Sequence, residues 1–191
     1  MEWRNIILRI SVVVTTYNGK MHLEKQLLSL LQQERAPDEV LIFDDGSTDG
    51  TIELVQSFIR KNCLESWQFY VNAKRKGWKQ NFMEGLRKAA GDILFPCDQD
   101  DIWYPKKLAE MTAVMEQHPE IKLLACDYRV LYESGALKAT VYKKTPAETQ
   151  GLITRYGFTK HFFMNPYPGC TYAVRRDFFD AVKELWFDGS P

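Results

Sequence analysis

Residues 10–46 read ISVVVTTYNGKMHLEKQLLSLLQQERAPDEVLIFDDG, and this stretch decides the fold. It opens with the largely β-branched run Ile10–Val14, which suits a strand buried on both faces. Asn18-Gly19 breaks the run. Leu23, Leu27, Leu30 and Leu31 then recur at i, i+4, i+7 and i+8, the spacing of a helix with one apolar side. Ala36-Pro37 ends that helix, and Val40–Phe43 is a second buried strand that stops at Asp44-Asp45-Gly46.

The same rhythm continues outward. Asp49 is placed to cap a helix carrying Ile52, Val55 and Ile59 on one face. Trp67–Val71 reads as a third strand. Trp78–Ala90 is helical, with Phe82, Leu86 and Ala89 inward and Gly91 as its stop. Ile93–Cys97 is a fourth strand. Pro105 opens a helix with Leu108, Met111 and Met115 on one face, His118-Pro119 ends it, and Leu123–Cys126 is a fifth strand. This alternation predicts an α/β fold with a mostly parallel central sheet and helices on both faces. After Asp127 the rhythm is lost, although Gly169–Val174 suits one more strand and Asp177–Leu185 a short helix. Residues 1–127 are therefore read as the ligand-binding α/β region and 128–191 as the start of a second region, within one domain overall.

Composition narrows the class. Of the 191 residues, 45% are hydrophobic and 26% charged, ordinary for a globular chain with a substantial core. Lys+Arg and Asp+Glu both number 25, so no net field draws nucleic acid or an anionic membrane. The densest basic run, Lys74-Arg75-Lys76, reads as a solvated turn. No apolar run exceeds four residues, whereas a membrane span needs about 20. Glu2, Arg4 and Arg9 interrupt the first ten residues, so no signal peptide is expected. Cys63, Cys97, Cys126 and Cys170 form no C-x-x-C pair, which argues against zinc and suits reduced thiols in a cytoplasmic protein.

In an open α/β sheet, ligands sit beyond the carboxyl ends of the strands. Those ends hold Thr15-Thr16-Tyr17-Asn18, then Asp44-Asp45, then Asp98-Gln99-Asp100-Asp101. Two unit charges about 4 Å apart repel by about 4 kcal/mol at an effective dielectric near 20, so such a cluster calls for a cation or hydrogen-bond donors. Asp98 and Asp100, two apart in an extended segment, face one side. Paired carboxylate oxygens suit a hard cation, Mg2+ or Mn2+. For Asp49 and Asp101, capping and turn roles stay open beside this one.

Three stretches carry a resemblance: Ser11–Gly19 (SVVVTTYNG), Asp44–Thr51 (DDGSTDGT) and Cys97–Trp103 (CDQDDIW). Together they resemble the inverting glycosyltransferases of family 2, which have the GT-A fold, and Asp-Gln-Asp-Asp-x-Trp is similar to the rhamnosyltransferase-like subgroup. Asn72, Gly77 and Asn81 resemble a further segment of that family. The resemblance implies sugar transfer from a UDP- or dTDP-sugar to a hydroxyl of a glycan or lipid-linked acceptor. It implies that Thr15 and Tyr17 border the base, that Asp44 reads the base's ring N–H and that Asp45 supports the loop. Asp98 would touch the ribose or the metal, Asp100 would ligate the metal, and Lys79 would face the phosphates. Packing roles stay open for Tyr17 and Trp103, and peripheral membrane association and self-association stay open for the whole.

The family also implies a later acidic motif that supplies a general base, after a segment resembling Pro168–Arg176. The residues up to Pro191 show none, and Asp177 and Asp188 are the acids left, Asp177 also suiting a helix start. A truncated chain is the expectation, with a non-catalytic nucleotide-sugar-binding module or a catalytically incomplete fragment as the alternative. A calcium loop at Asp45–Gln56 fits worse, because Gln56 stands where a bidentate Glu is needed. A phosphatase-like fold fits worse because its key acids follow early strands.

Overall fold

The computed structural model describes residues 7–131, 137–139 and 168–185. The elements follow in order as β1 (Ile10–Thr16), α1 (Lys20–Leu31), β2 (Glu39–Asp44), α2 (Thr51–Lys61), β3 (Trp67–Val71), α3 (Trp78–Lys88), β4 (Ile93–Asp98), α4 (Lys107–Gln117) and β5 (Leu123–Ala125). A two-stranded ribbon, β6 (Arg129–Leu131) with β7 (Leu137–Ala139), precedes β8 (Tyr172–Arg175) and α5 (Arg176–Val182). The main sheet runs β3-β2-β1-β4-β8-β5. Its first four strands are parallel, as the alternation predicts.

Alternate residues of each strand feed opposite sides of the sheet. Val12, Val14, Val40 and Ile42 meet Leu23, Leu27, Val55, Leu108 and Met115 from α1, α2 and α4. Val13, Leu41 and Phe43 meet Met83 of α3 and Phe179 of α5. All seven residues of β1 are buried, which is why Ile10–Val14 reads as one apolar run rather than an alternation.

Four expectations are corrected here. β8 lies between β4 and β5, antiparallel to both, and Leu123 on the edge strand is half exposed rather than buried. The sheet is thus built from both sides of residue 127. Asp49 does not occupy the cap position of α2; Gly50 does, at φ 94°. Asp49 instead accepts from the N–H groups of Thr51 (3.0 Å) and Lys20 (3.1 Å). Gly91 does not stop α3, which ends at Lys88. Finally, α4 begins at Lys107, two residues past Pro105.

Gly91 is there for room. A Cβ on it would stand 2.4 Å from Ser11 Oγ and 2.7 Å from the backbone nitrogen of Ser11. Backbone cannot rotate away as a side chain can. Gly91→Ala is therefore expected to cost about 1–3 kcal/mol, the usual penalty of overpacking, read as a lowered urea midpoint. An unchanged midpoint would show that β1 yields freely. The carbonyls left open at the end of α3 are taken up by Arg176, whose guanidinium donates to Leu86 O (3.0 Å), Gly91 O (3.2 Å) and Ala89 O. Among the described residues no helix is long and apolar enough to cross a membrane.

Candidate functional site

The chain runs from β1 outward through β2 and β3, then returns to lay β4 on the other side of β1. That reversal opens a crevice at the carboxyl ends of β1 and β4. Register fixes what meets there: Thr16 lies beside Asp44, and Thr15 beside Asp98.

The β1 and β2 loops are sewn together. Asn18 N–H donates to Ser47 Oγ at 2.8 Å, Thr48 N–H to Asn18 Oδ1 at 2.9 Å, and Gly19 N–H to Thr51 Oγ1 at 3.0 Å. Asn18 takes φ 49°, a region that Asn tolerates better than most residues.

The structure places Asp44 inside its turn rather than on the crevice wall. It is fully buried, and its carboxylate accepts from Gly46 N–H (3.0 Å), Ser47 N–H (2.7 Å) and Ser47 Oγ (2.5 Å). A buried acid with three local donors holds a loop; it has no surface left to read a base. Asp45 holds the loop that follows β3 rather than its own. It accepts from Asn72 Nδ2 (3.0 Å), Lys76 N–H (2.7 Å) and Gly77 N–H (2.8 Å). Burial alone would raise its pKa, but those donors and the charge of Arg75 hold it below the ordinary carboxylate value. Asn72 also donates to Asn81 Oδ1 (2.8 Å), and Asn81 donates to Phe43 O (2.9 Å), so the Asn-Gly-Asn segment is a bracket beneath the crevice.

The run Asp98–Asp101 forms the opposite wall. Asp98 is pushed up to about 6, first by burial and then by the charges of Asp101 and Asp100. Asp101 is also raised by burial, against the bonds from Cys170 and from Asp98 N–H (3.2 Å) that lower it. Asp100 is exposed. Among the described residues no ion pair engages any of these carboxylates. Nor do three acidic, His or Cys side chains converge there as a closed cage. Two open carboxylates with unbalanced charge fit a hard cation that keeps positions for other oxygens, the habit of Mg2+. Asp98 and Asp100 would hold it.

The folded-state value of Asp98 lies above the ordinary 3.8, so the folded protein holds this proton more tightly than the unfolded chain does. The stability this group contributes is full below about pH 4 and is lost as pH rises through about 6. Asp98→Asn removes that loss. The variant is expected to gain on wild type between pH 5 and pH 7.5, by roughly 1–3 kcal/mol without divalent cations, in melting curves at the two pH values. Parallel curves at both values would mean that Asp98 is not burdened by its neighbours.

Of the remaining expected residues, Thr15 is buried at the end of β1. Tyr17 is 37% exposed, with the Arg75 guanidinium 4.1 Å over its ring. Lys79 lies in the first turn of α3, with Nζ 5.7 Å from the Trp78 ring. Trp103 is a core residue: 5% exposed, packed on Phe95, its backbone N–H donating to Ser29 Oγ. Asp177 sits at the wrong end of the sheet for a base. Arg175 pairs with Ile93, at the start of β4, so Asp177 is about 16 Å of strand from Asp98. Its carboxylate bonds Lys122 Nζ at 2.6 Å. Asp188 lies outside the described residues. Asn18 and Ser47 lie inside the SVVVTTYNG and DDGSTDGT stretches, but their tie between the two loops has no sequence signal beyond turn composition.

Comparison with known proteins settles the class. Glycosyl transferase family 2 matches residues 11–181. The chain belongs to that family. It is 25% identical over 180 residues to dTDP-rhamnosyl transferase RfbG of Shigella flexneri, covering 90% of this chain and 57% of that one. The crystal structure of S. aureus TarS 1–349 in complex with UDP-GlcNAc superposes with a TM-score of 0.67 at 21% identity, covering 91% of this chain and 47% of that one. Mannosyltransferase PcManGT from Pyrobaculum calidifontis, in complex with GDP-Man and Mn2+, gives 0.64 at 21% identity, covering 96% and 48%. The fold of this family 2 member is thus GT-A. The chain spans from about a quarter to just over half the length of the curated relatives it matches.

Proposed function

We propose that this chain binds a nucleoside-diphosphate sugar, a UDP- or dTDP-sugar, in the β1–β4 crevice with Mg2+ or Mn2+, and that the whole protein transfers the sugar with inversion to a hydroxyl of a glycan or lipid-linked acceptor. The observation that carries this reading is the placement of Asp98 beside Thr15 at the switch of strand order, with Asp100 two residues on and neither acid in an ion pair among the described residues. RfbG, by name a dTDP-rhamnosyl transferase, and the resemblance of this chain's Asp-Gln-Asp-Asp-x-Trp run to the rhamnosyltransferase-like subgroup support rhamnose as the sugar. The TarS and PcManGT complexes support a nucleotide-sugar ligand, and the second supports a divalent cation. No disulfide joins Cys63, Cys97, Cys126 or Cys170, which fits a reducing, cytoplasmic setting.

The chemistry matches the residues. Breaking the glycosidic bond leaves negative charge on a diphosphate, and a bound divalent cation supplies Lewis-acid stabilisation of that charge. Asp98, largely ionised at pH 7 with a value of about 6, and Asp100 hold the cation's side of the crevice. Tyr17, 37% exposed with Arg75 over its ring, offers an aromatic side chain beside the base, and Lys79 supplies positive charge near the phosphates. Asp44 and Asp45 act one step back, by fixing the loops that shape the nucleotide side.

A thermal-shift and calorimetry panel of UDP, dTDP, GDP and CDP, each with and without MnCl2, tests the reading. The expected result is stabilisation by UDP or dTDP that needs Mn2+. No diphosphate binding in either condition would overturn it.

A further inference from the structure

The roles assigned to the Asp98–Asp101 run use its acids and leave Gln99 without a task. Yet Gln99 reaches across the crevice floor. Its Oε1 accepts from Thr16 Oγ1 at 2.9 Å and from Tyr17 N–H at 2.8 Å. A backbone N–H can only donate, so the amide oxygen must be the atom that faces Tyr17. Gly19 is shaped around the same atom: a Cβ there would stand 2.2 Å from Gln99 Oε1 and 2.6 Å from its Cδ. Gly19 itself has φ −101°, which any L-residue adopts. The missing side chain therefore leaves room for Gln99 and serves no backbone need. One amide thus ties the segment that leaves β4 between Asp98 and Asp100 to the segment where β1 ends at Thr16 and Tyr17.

We infer that Gln99 is a positioning residue that couples cation binding at Asp98 and Asp100 to nucleotide binding at Thr15 and Tyr17. The inference rests on the proposed function. Gln99 lies in the backbone between the two acids, so any shift that gathers them around a cation moves its amide. The amide holds Tyr17 N–H and the Thr16 hydroxyl, so the nucleotide wall follows. Such coupling is reciprocal: the nucleotide favours the cation by the factor that the cation favours the nucleotide.

The test measures one ratio, the affinity for UDP with Mn2+ over that without, by calorimetry (dTDP or GDP replaces UDP if either binds more tightly). Gln99→Ala is expected to cut this ratio at least about fivefold. Gln99→Glu keeps an acceptor in place and should retain most of it. Gly19→Ala pushes the amide aside without strain in its own backbone, so it should act like Gln99→Ala. Added to Gln99→Ala it should do nothing further, because both remove one interaction. A residue that served only the fold would lower the melting temperature of Gln99→Ala and leave the ratio as in wild type. That result, or a full ratio in Gly19→Ala, overturns the inference and leaves the proposed function standing. A wild-type chain whose affinity for every diphosphate ignores Mn2+ overturns both.

Discussion

Asp100→Ala is expected to weaken Mn2+-dependent diphosphate binding by more than about 10-fold, the scale of one lost charge-assisted contact near 1.4 kcal/mol. Asp100 is exposed and no hydrogen bond of its side chain holds any described residue, so the fold should not feel the change. Removing one of three adjacent carboxylates relieves repulsion, and the melting temperature should stay level or rise. Weak binding with an intact melting curve is therefore the signature of a lost ligand. Equal affinity of wild type and variant with Mn2+, by titration calorimetry, would take Asp100 out of the cation site.

The second large effect is on stability. Asp45→Ala leaves the N–H groups of Lys76 and Gly77 and the amide of Asn72 without their acceptor. Each stranded donor costs about 1–3 kcal/mol, less where water can reach it, so a loss of about 3 kcal/mol is expected in urea unfolding. The loop from Asn72 to Gly77 also carries Arg75, which lies over Tyr17, so nucleotide affinity should fall as well. Asp45→Asn keeps one acceptor oxygen and should fall between. A wild-type unfolding midpoint for Asp45→Ala would mean that the loop is held by something other than this carboxylate.

The contrast between Asp44 and Asp45 marks what a sequence can show. Both end an apolar run, and the run reveals the strand because a parallel strand buried on both faces admits few polar residues. Which acid turns inward depends on the loop that follows, through the donors of Gly46 and Ser47 for one and of Lys76 and Gly77 for the other. Those partners are distant in sequence for Asp45, and no local pattern encodes them. The place of β8 was hidden for the same reason. Four residues with a neutral pattern gain their partner from strands about 50–80 residues earlier, and only the assembled sheet shows that β5 needs something between it and β4. Gly91 and Gly19 look like punctuation in the sequence, yet each is an absence of atoms required by a remote neighbour, Ser11 in one case and Gln99 in the other. The carboxylate run was plain, because three acids in four residues are hard to place anywhere but at an open strand end.

The interposed position of β8 also sets an order in time. β1 to β4 can pair as soon as they leave the ribosome, since each finds its neighbour among residues already made. β5 cannot, because its hydrogen-bonding partner starts at Tyr172, 49 residues after Leu123. At about 5–20 residues per second that interval is about 2–10 s. Throughout it, Ile93 and Leu94 offer an unpaired strand edge, the kind of surface on which a second nascent chain can add a strand. The late arrival of four residues thus covers the β4 edge and leaves only β3 and β5 as edges of the six-stranded sheet.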